Sequence, residues 1–269
     1  MTTQHVPRDG KAGQSTDACR DLSIVMEQIH NTRDLGGMLA YGGARIKPRR
    51  LYRSGNPAAA SAADITRLRA MQLDAIVDFR SDAEKQPAEA AFGRQFHRVA
   101  QPIFDARFSM EGVMLMMKGK TPAAMEAFMV RIYRDFAVQC QPAFARFLKF
   151  LEGYRTVLYH CTAGKDRTGF ATMLLLSALG VDDATIMANY LESNVRNQSF
   201  NERALAGAGN AGIDAAVVRP LLEVRESYLD AVRAVIDEQY GGIDRYLRET
   251  LQVDVARLRK NYLDGYAED

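Results

Sequence analysis

Cys161 and Arg167 are the two side chains whose types and spacing suit them best to act together on one substrate. Five residues separate them in the stretch HCTAGKDRTG, His160 to Gly169. The run before it, TVLYHC (Thr156 to Cys161), is β-branched and aromatic and reads as a short buried strand. The run after it, RTGFATMLLLSALG (Arg167 to Gly180), is apolar almost all round and reads as a helix. Thr162, Ala163, Gly164, Lys165 and Asp166 are too polar and too few for anything but a loop between the two.

A loop entering a helix N-terminus aims several backbone N–H groups at one spot, and the helix dipole adds positive potential there. Such a nest holds a tetrahedral oxyanion without help from side chains. Cys161 faces the same spot, and a setting that holds phosphate also favours a thiolate. Arg167 offers a planar fork able to grip two phosphoryl oxygens. Gly164 lets the backbone approach an anion closely, and Thr168 can donate its hydroxyl to the sulfur. The chemistry expected is nucleophilic displacement at phosphorus. A nucleotide-binding loop is excluded, because it requires GxxxxGK followed by Ser or Thr. Here Asp166 follows the lysine, and Tyr159 stands where the first glycine belongs.

With this strand–loop–helix setting, the stretch resembles the phosphate-binding loop of the cysteine-dependent phosphatases. It is most similar to the bacterial tyrosine-phosphatase-like family carrying HCxxGKDRTG. NTRDLGG (Asn31 to Gly37), LYRSG (Leu51 to Gly55), DFRS (Asp78 to Ser81) and NYLESN (Asn189 to Asn194) extend the resemblance over most of the chain. The resemblance implies that Cys161 attacks phosphorus and becomes a phosphocysteine, which water then hydrolyses. It implies that Arg167 and the N–H groups of Thr162, Ala163, Gly164, Lys165, Asp166 and Arg167 stabilise the equatorial oxygens. The expected substrates are phosphotyrosine and, by extension, phosphoserine, phosphothreonine or phosphoinositides, on a protein or a lipid.

Other roles stay open at the level of sequence. The chain has no tryptophan, so the general acid does not come from a WPD loop. Asp166 is either that proton donor or a salt-bridge partner that shapes the loop, with Asp78, Asp82 and Asp105 as alternatives. Lys165 is either a solvated charge or, on one rim with Asp166 and Arg167, a contact for extra substrate phosphates. His160 is expected to order the loop and tune the thiol. NTRDLGG reads as architecture, with Arg33 and Asp34 pairing locally and Gly36–Gly37 making a turn.

The positioning elements follow. Asp74 to Ser81 (DAIVDFRS) is a clear strand, QFHRVAQPI a weaker one, and Arg50–Arg53 another after a hairpin within Ile29 to Gly55. Ser61 to Leu73 has helical spacing. Thr121 to Glu152 reads as a long helical region broken at Gln141–Pro142. The C-terminal third is helical, with Asp182 or Asp183 as a cap and one long helix from about Ala215 to Tyr240, ended by Gly241–Gly242. Strands alternating with helices give an α/β class, and with the resemblance a cysteine-phosphatase-type fold, with a central, mainly parallel sheet flanked by helices. A flexible tail over 1–21 would precede a single domain over 22–269, with a helical, lid-like insertion near 105–152. Phe104 to Lys120 carries four methionines, read as core filler or as an adaptable lid.

A net charge of +2 excludes steering of the whole molecule toward nucleic acid. No apolar run reaches the roughly 18–20 residues that span a bilayer, so no stable membrane insertion is expected. Three scattered cysteines (Cys19, Cys140, Cys161) argue for a reducing, cytoplasmic setting, although export without a signal peptide stays compatible. The four histidines lack metal-ligand spacing, so neither metal nor cofactor is expected. Oligomeric state is not encoded in any pattern. Two other readings compete with the phosphatase: a phosphate-binding module without turnover, and a rhodanese-type sulfurtransferase. The intact Cys161, Asp166 and Arg167 disfavour the first, and the following GKDRTG disfavours the second.

Overall fold

The computed structural model describes residues 24–103, 117 and 119–267. The tail over 1–21, with Cys19, lies outside them, as do Asp105 and most of the methionine-rich segment. Seven strands follow in chain order: β1 (Arg33–Asp34), β2 (Arg45–Ile46), β3 (Leu51–Ser54), β4 (Ala75–Asp78), β5 (Arg98–Ala100), β6 (Val157–His160) and β7 (Leu263–Asp264). Five form one sheet in the order β1-β3-β6-β4-β5, parallel except for β1. Each residue of β6 is buried, as expected of a central parallel strand covered on both faces. Ser54, His160 and Asp78 are in register, so three strands end at one level and the chain leaves the middle one directly into the loop at Cys161. Ligands of open α/β sheets bind at that edge, beyond the carboxyl ends of the strands. The second sheet, β2 with β7, ties the C-terminus to the hairpin after β1, a pairing no local pattern announces.

The helices are α1 (Ala62–Ala70), α2 (Ala90–Gly93), α3 (Pro122–Gln139), α4 (Gln141–Leu151), α5 (Asp166–Leu179), α6 (Asp183–Arg196), α7 (Gln198–Asn210), α8 (Ala215–Leu222), α9 (Glu226–Tyr240) and α10 (Val255–Tyr262). The break between α3 and α4 falls at Cys140, with Pro142 in the first turn of α4. Asp182 caps α6 by accepting from the Thr185 N–H. Helix α5 is apolar on nearly every side because it is covered on nearly every side. Its Phe170 stacks on Phe136 of α3 at 5.7 Å and meets the ring of Phe144 of α4 edge-on at 4.7 Å. Burying such a ring contributes about 1.5–3 kcal/mol, which fixes α5, and with it the loop at its N-terminus, against α3 and α4.

The single helix expected from Ala215 to Tyr240 is two. Glu223 and Arg225 are extended, and the Asn194 side chain of α6 holds both backbone groups of Val224 between them at 2.8 Å. Pro220, inside α8, has no N–H to continue the ladder. Among the described residues no helix is long and apolar enough to cross a membrane.

A buried charged network sits under the carboxyl edge. Asp78 accepts from Arg80 Nε and Nη2, both at 3.0 Å, and from Arg98 Nη2 at 2.7 Å, while Arg80 also reaches Glu89 at 2.7 Å. His160 Nδ1 lies 3.0 Å from the Cys161 carbonyl; a carbonyl only accepts, so Nδ1 carries the proton. Burial lowers the His160 pKa from 6.5 to about 4 against the pull of Asp78. The unfolded chain therefore takes up this proton first as pH falls, so His160 favours the fold fully above 6.5 and loses that contribution down to about 4. The loss amounts to about 3 kcal/mol at most. Denaturant titrations across this window should show stability falling with pH, and His160→Asn, which keeps a donor for the carbonyl, should flatten the fall. An unchanged slope in that variant would show that another group sets it.

Candidate active site

Cys161 is buried directly after β6, and the loop after it has a one-sided hydrogen-bond pattern. The carbonyls from Cys161 to Gly164 are each taken by a group outside the turn. His160 Nδ1 meets that of Cys161, and the Asn56 N–H donates to that of Thr162 at 2.9 Å. The carbonyl of Ala163 accepts from the side chains of Asn31 (3.1 Å) and Asn197 (3.0 Å), and that of Gly164 from Asn31 (2.8 Å) and Arg53 (2.7 Å). Among the described residues, no backbone N–H from Thr162 to Arg167 donates to a protein acceptor. Gly164 has φ +67°, and a Cβ there would fall 2.2 Å from the Ser54 carbonyl oxygen, so no other residue fits this turn.

Arg167 faces the loop from the first turn of α5, and its fork is engaged. Nη1 and Nη2 donate to Glu84 at 2.7 and 2.6 Å. The weaker second contacts of these nitrogens go to the Phe79 carbonyl and Thr162 Oγ1, which leaves Nε–H without a partner among the described residues. Glu84 also accepts from Thr162 Oγ1 at 2.8 Å. Burial pushes its carboxyl up, but Arg167 outweighs this and holds it at about 2. Sequence reasoning missed Glu84. Its only local trace is a capping box with Ser81, and nothing in that motif tells which way the carboxylate points. Thr168 Oγ1 does not reach the sulfur; it is buried without a partner.

Lys165 is not a solvated rim charge. It is buried, and Nζ donates to both carboxylate oxygens of Asp166 at 2.9 and 2.7 Å. Asp166, at the start of α5, also accepts from the Tyr133 hydroxyl at 2.9 Å, and its side chain keeps 24% of its surface exposed. The other candidate acids stand elsewhere. Asp78 is locked in the arginine network: burial works against its charge, yet His160 and Arg80 hold it well below the usual carboxylate range. Asp82 is open to solvent and pairs with Lys85 at 2.7 Å.

Cys161, Thr162, Ala163, Lys165, Asp166 and Arg167 floor a cavity of about 250 Å³. Its walls are apolar: Met129, Ile132 and Phe136 from one face of α3, Phe200 of α7, Leu221 of α8, and Met117. Among the described residues, Glu84 is the one charged side chain beyond the loop in this lining. Among the described residues no group of His, Cys, Asp or Glu is arranged to hold a metal ion.

The remaining motifs surround the loop rather than the cavity. Arg33 and Asp34 do not pair with each other. Arg33 donates to the Asn189 carbonyl at 2.7 Å and to Asn31 Oδ1, whereas Asp34 accepts from the Gly36 N–H (2.9 Å) and Arg49 N–H (2.6 Å). Each prefers the partner its strand presents: Arg33 points to α6, Asp34 back along the hairpin. Asn189 and Ser193, from NYLESN, receive Arg53 and Arg33.

The family model that matches this chain, over residues 24–264, is described as the tyrosine phosphatase family. A Cupriavidus necator protein named as a tyrosine-protein phosphatase is 53% identical over 98% of this chain and 96% of its own length. The triple specificity protein phosphatase PtpB of Mycobacterium tuberculosis is 31% identical over 80% of this chain and 91% of its own. A tyrosine-protein phosphatase of Nostoc commune is 28% identical over 89% of this chain and 76% of its own. A matching family model over nearly the whole described fold, with relatives 53% and 31% identical over most of the chain, makes this chain a member of the tyrosine phosphatase family.

Proposed function

We propose that this chain hydrolyses phosphotyrosine through a phosphocysteine intermediate. The observation that carries this reading is the set of undonated N–H groups from Thr162 to Arg167, gathered around Cys161. The Cys161 thiolate attacks phosphorus, a P–S bond forms, and the bond to the ester oxygen breaks. Negative charge then spreads over the three equatorial oxygens, and the unpaired loop amides and Arg167 Nε–H are the donors available to take it up. Water cleaves the P–S bond in the second step and releases inorganic phosphate and the thiolate.

Asp166 is the proposed proton donor to the leaving oxygen. It lines the cavity and is partly open, whereas Asp78 is tied to two arginines and Asp82 faces solvent. In the second step the same group takes a proton from the attacking water.

The walls bear on substrate class. An aryl ring suits the apolar sides of the cavity, and Lys165, spent on Asp166, is not arranged to meet a second phosphate. Phosphotyrosine therefore ranks above phosphoserine, phosphothreonine and the polyphosphoinositides, even with a relative named for triple specificity.

Two measurements test this reading. In a side-by-side panel, a phosphotyrosine peptide should turn over at least about tenfold faster than phosphoserine or phosphoinositide substrates, and Cys161→Ser should abolish all turnover. Residual turnover in Cys161→Ser, or a preference for phosphoinositides, would contradict it. Asp166→Asn should lower kcat about 100-fold on aryl phosphates with poor leaving groups and far less on p-nitrophenyl phosphate. An equal loss on both would make Asp166 a loop-shaping residue only.

A further inference from the structure

Arg53 is the largest wholly buried side chain without a charge partner. It leaves β3 beneath the catalytic loop, is 0% exposed, and forms no ion pair with a carboxylate among the described residues. Its hydrogen bonds go to neutral acceptors: Gly164 O at 2.7 Å, Asn189 Oδ1 at 2.9 Å and Ser193 Oγ at 3.4 Å. Arg33, the neighbouring buried guanidinium, has Glu192 at 3.3 Å, but that carboxylate is 40% exposed. Taking a guanidinium out of water without a counter-charge is costly, so a fold that keeps one there must gain from it elsewhere. Under the phosphatase reading, the anions that would compensate it are the Cys161 thiolate and a phosphoryl group bound at the loop whose Gly164 carbonyl Arg53 holds. Burial lowers the Arg53 pKa, so its charged form gains from any negative charge placed at the loop it holds.

The same side chain is one of three that pull the loop's inner carbonyls outward. Asn31 Nδ2 spans those of Ala163 and Gly164, Asn197 Nδ2 takes that of Ala163, and Arg53 takes that of Gly164. A peptide group turned with its carbonyl out presents the following N–H inward. Those N–H groups are Gly164 and Lys165, in the middle of the nest.

We propose that Arg53, Asn31 and Asn197 are positioning residues of the catalytic loop, which fix its amides inward, and that Arg53 also supplies the buried positive charge favouring the Cys161 thiolate. The proposal rests on the phosphatase reading only for the identity of the anion. The loop geometry and thiol reactivity it concerns can be read without turnover.

The test is the pH dependence of Cys161 alkylation by iodoacetamide, with tungstate binding as a second measurement and thermal melting as the check on folding. Arg53→Met should move the alkylation midpoint up by about one pH unit, a tenfold loss of thiolate below it. Arg53→Lys, which keeps the charge but not the fork, should restore most of that midpoint while kcat stays low. Asn31→Asp tolerates the left-handed backbone (φ +59°) but removes the donor to both carbonyls, and should weaken tungstate binding at least about tenfold. A wild-type alkylation midpoint in Arg53→Met, or wild-type tungstate affinity in Asn31→Asp, would overturn the proposal. If Arg53→Met does not fold, Arg53→Lys and Asn31→Asp decide it by the same measurements. If the wild-type chain shows no phosphatase turnover yet the shifts appear, the functional reading fails and this one stands.

Discussion

The site depends on where the carbonyls of one short loop are held. Peptide groups carry a donor and an acceptor at opposite ends, so a cluster of inward N–H groups requires outward carbonyls that something else must satisfy. Here four partners come from distant parts of the chain, Asn31 beside β1, Arg53 in β3, Asn56 after β3 and Asn197 at the end of α6, and one, His160 in β6, is the neighbour of Cys161. The parallel sheet brings β3, β4 and β6 to one level, α5 is clamped by aromatic rings, and the loop is pinned between them. Preorganisation of this kind stabilises charge that develops in a transition state without reorganisation at that moment.

The arginine that completes the loop is itself held. Glu84 fastens both Nη groups of Arg167, fixing the plane of the guanidinium, and Nε–H has no partner among the described residues. Holding both Nη groups removes the freedom of a long side chain. In the same way Lys165 neutralises Asp166 at rest, so the two charges that set this loop apart from a plain C-x5-R motif act on each other first.

Much of this was legible where local chemistry decides. The strand–loop–helix around Cys161, the break before Pro142, the Asp182 cap and the parallel sheet follow from spacing, turn residues and apolar runs. What was not legible depends on contacts between distant residues. Lys165 reads as a solvated charge or a rim contact for extra phosphates until the fold is seen to bury it against Asp166. Glu84 is visible as a cap residue, but its partner lies 83 positions away. The split between α8 and α9 is made by an asparagine of α6, and β2 finds its partner at the other end of the chain. NTRDLGG, LYRSG and NYLESN stood out as motifs, yet only the structure joins Asn31, Arg53 and Asn189 under one loop.

A crystal structure with tungstate bound would test the central claim most directly. The account predicts the oxyanion within hydrogen-bond distance of the amides from Thr162 to Arg167, roughly 2.7–3.2 Å away. The Ala163 and Gly164 carbonyls should still be held by Asn31, Asn197 and Arg53. An oxyanion bound away from Cys161, or either carbonyl turned in toward it, would contradict the account.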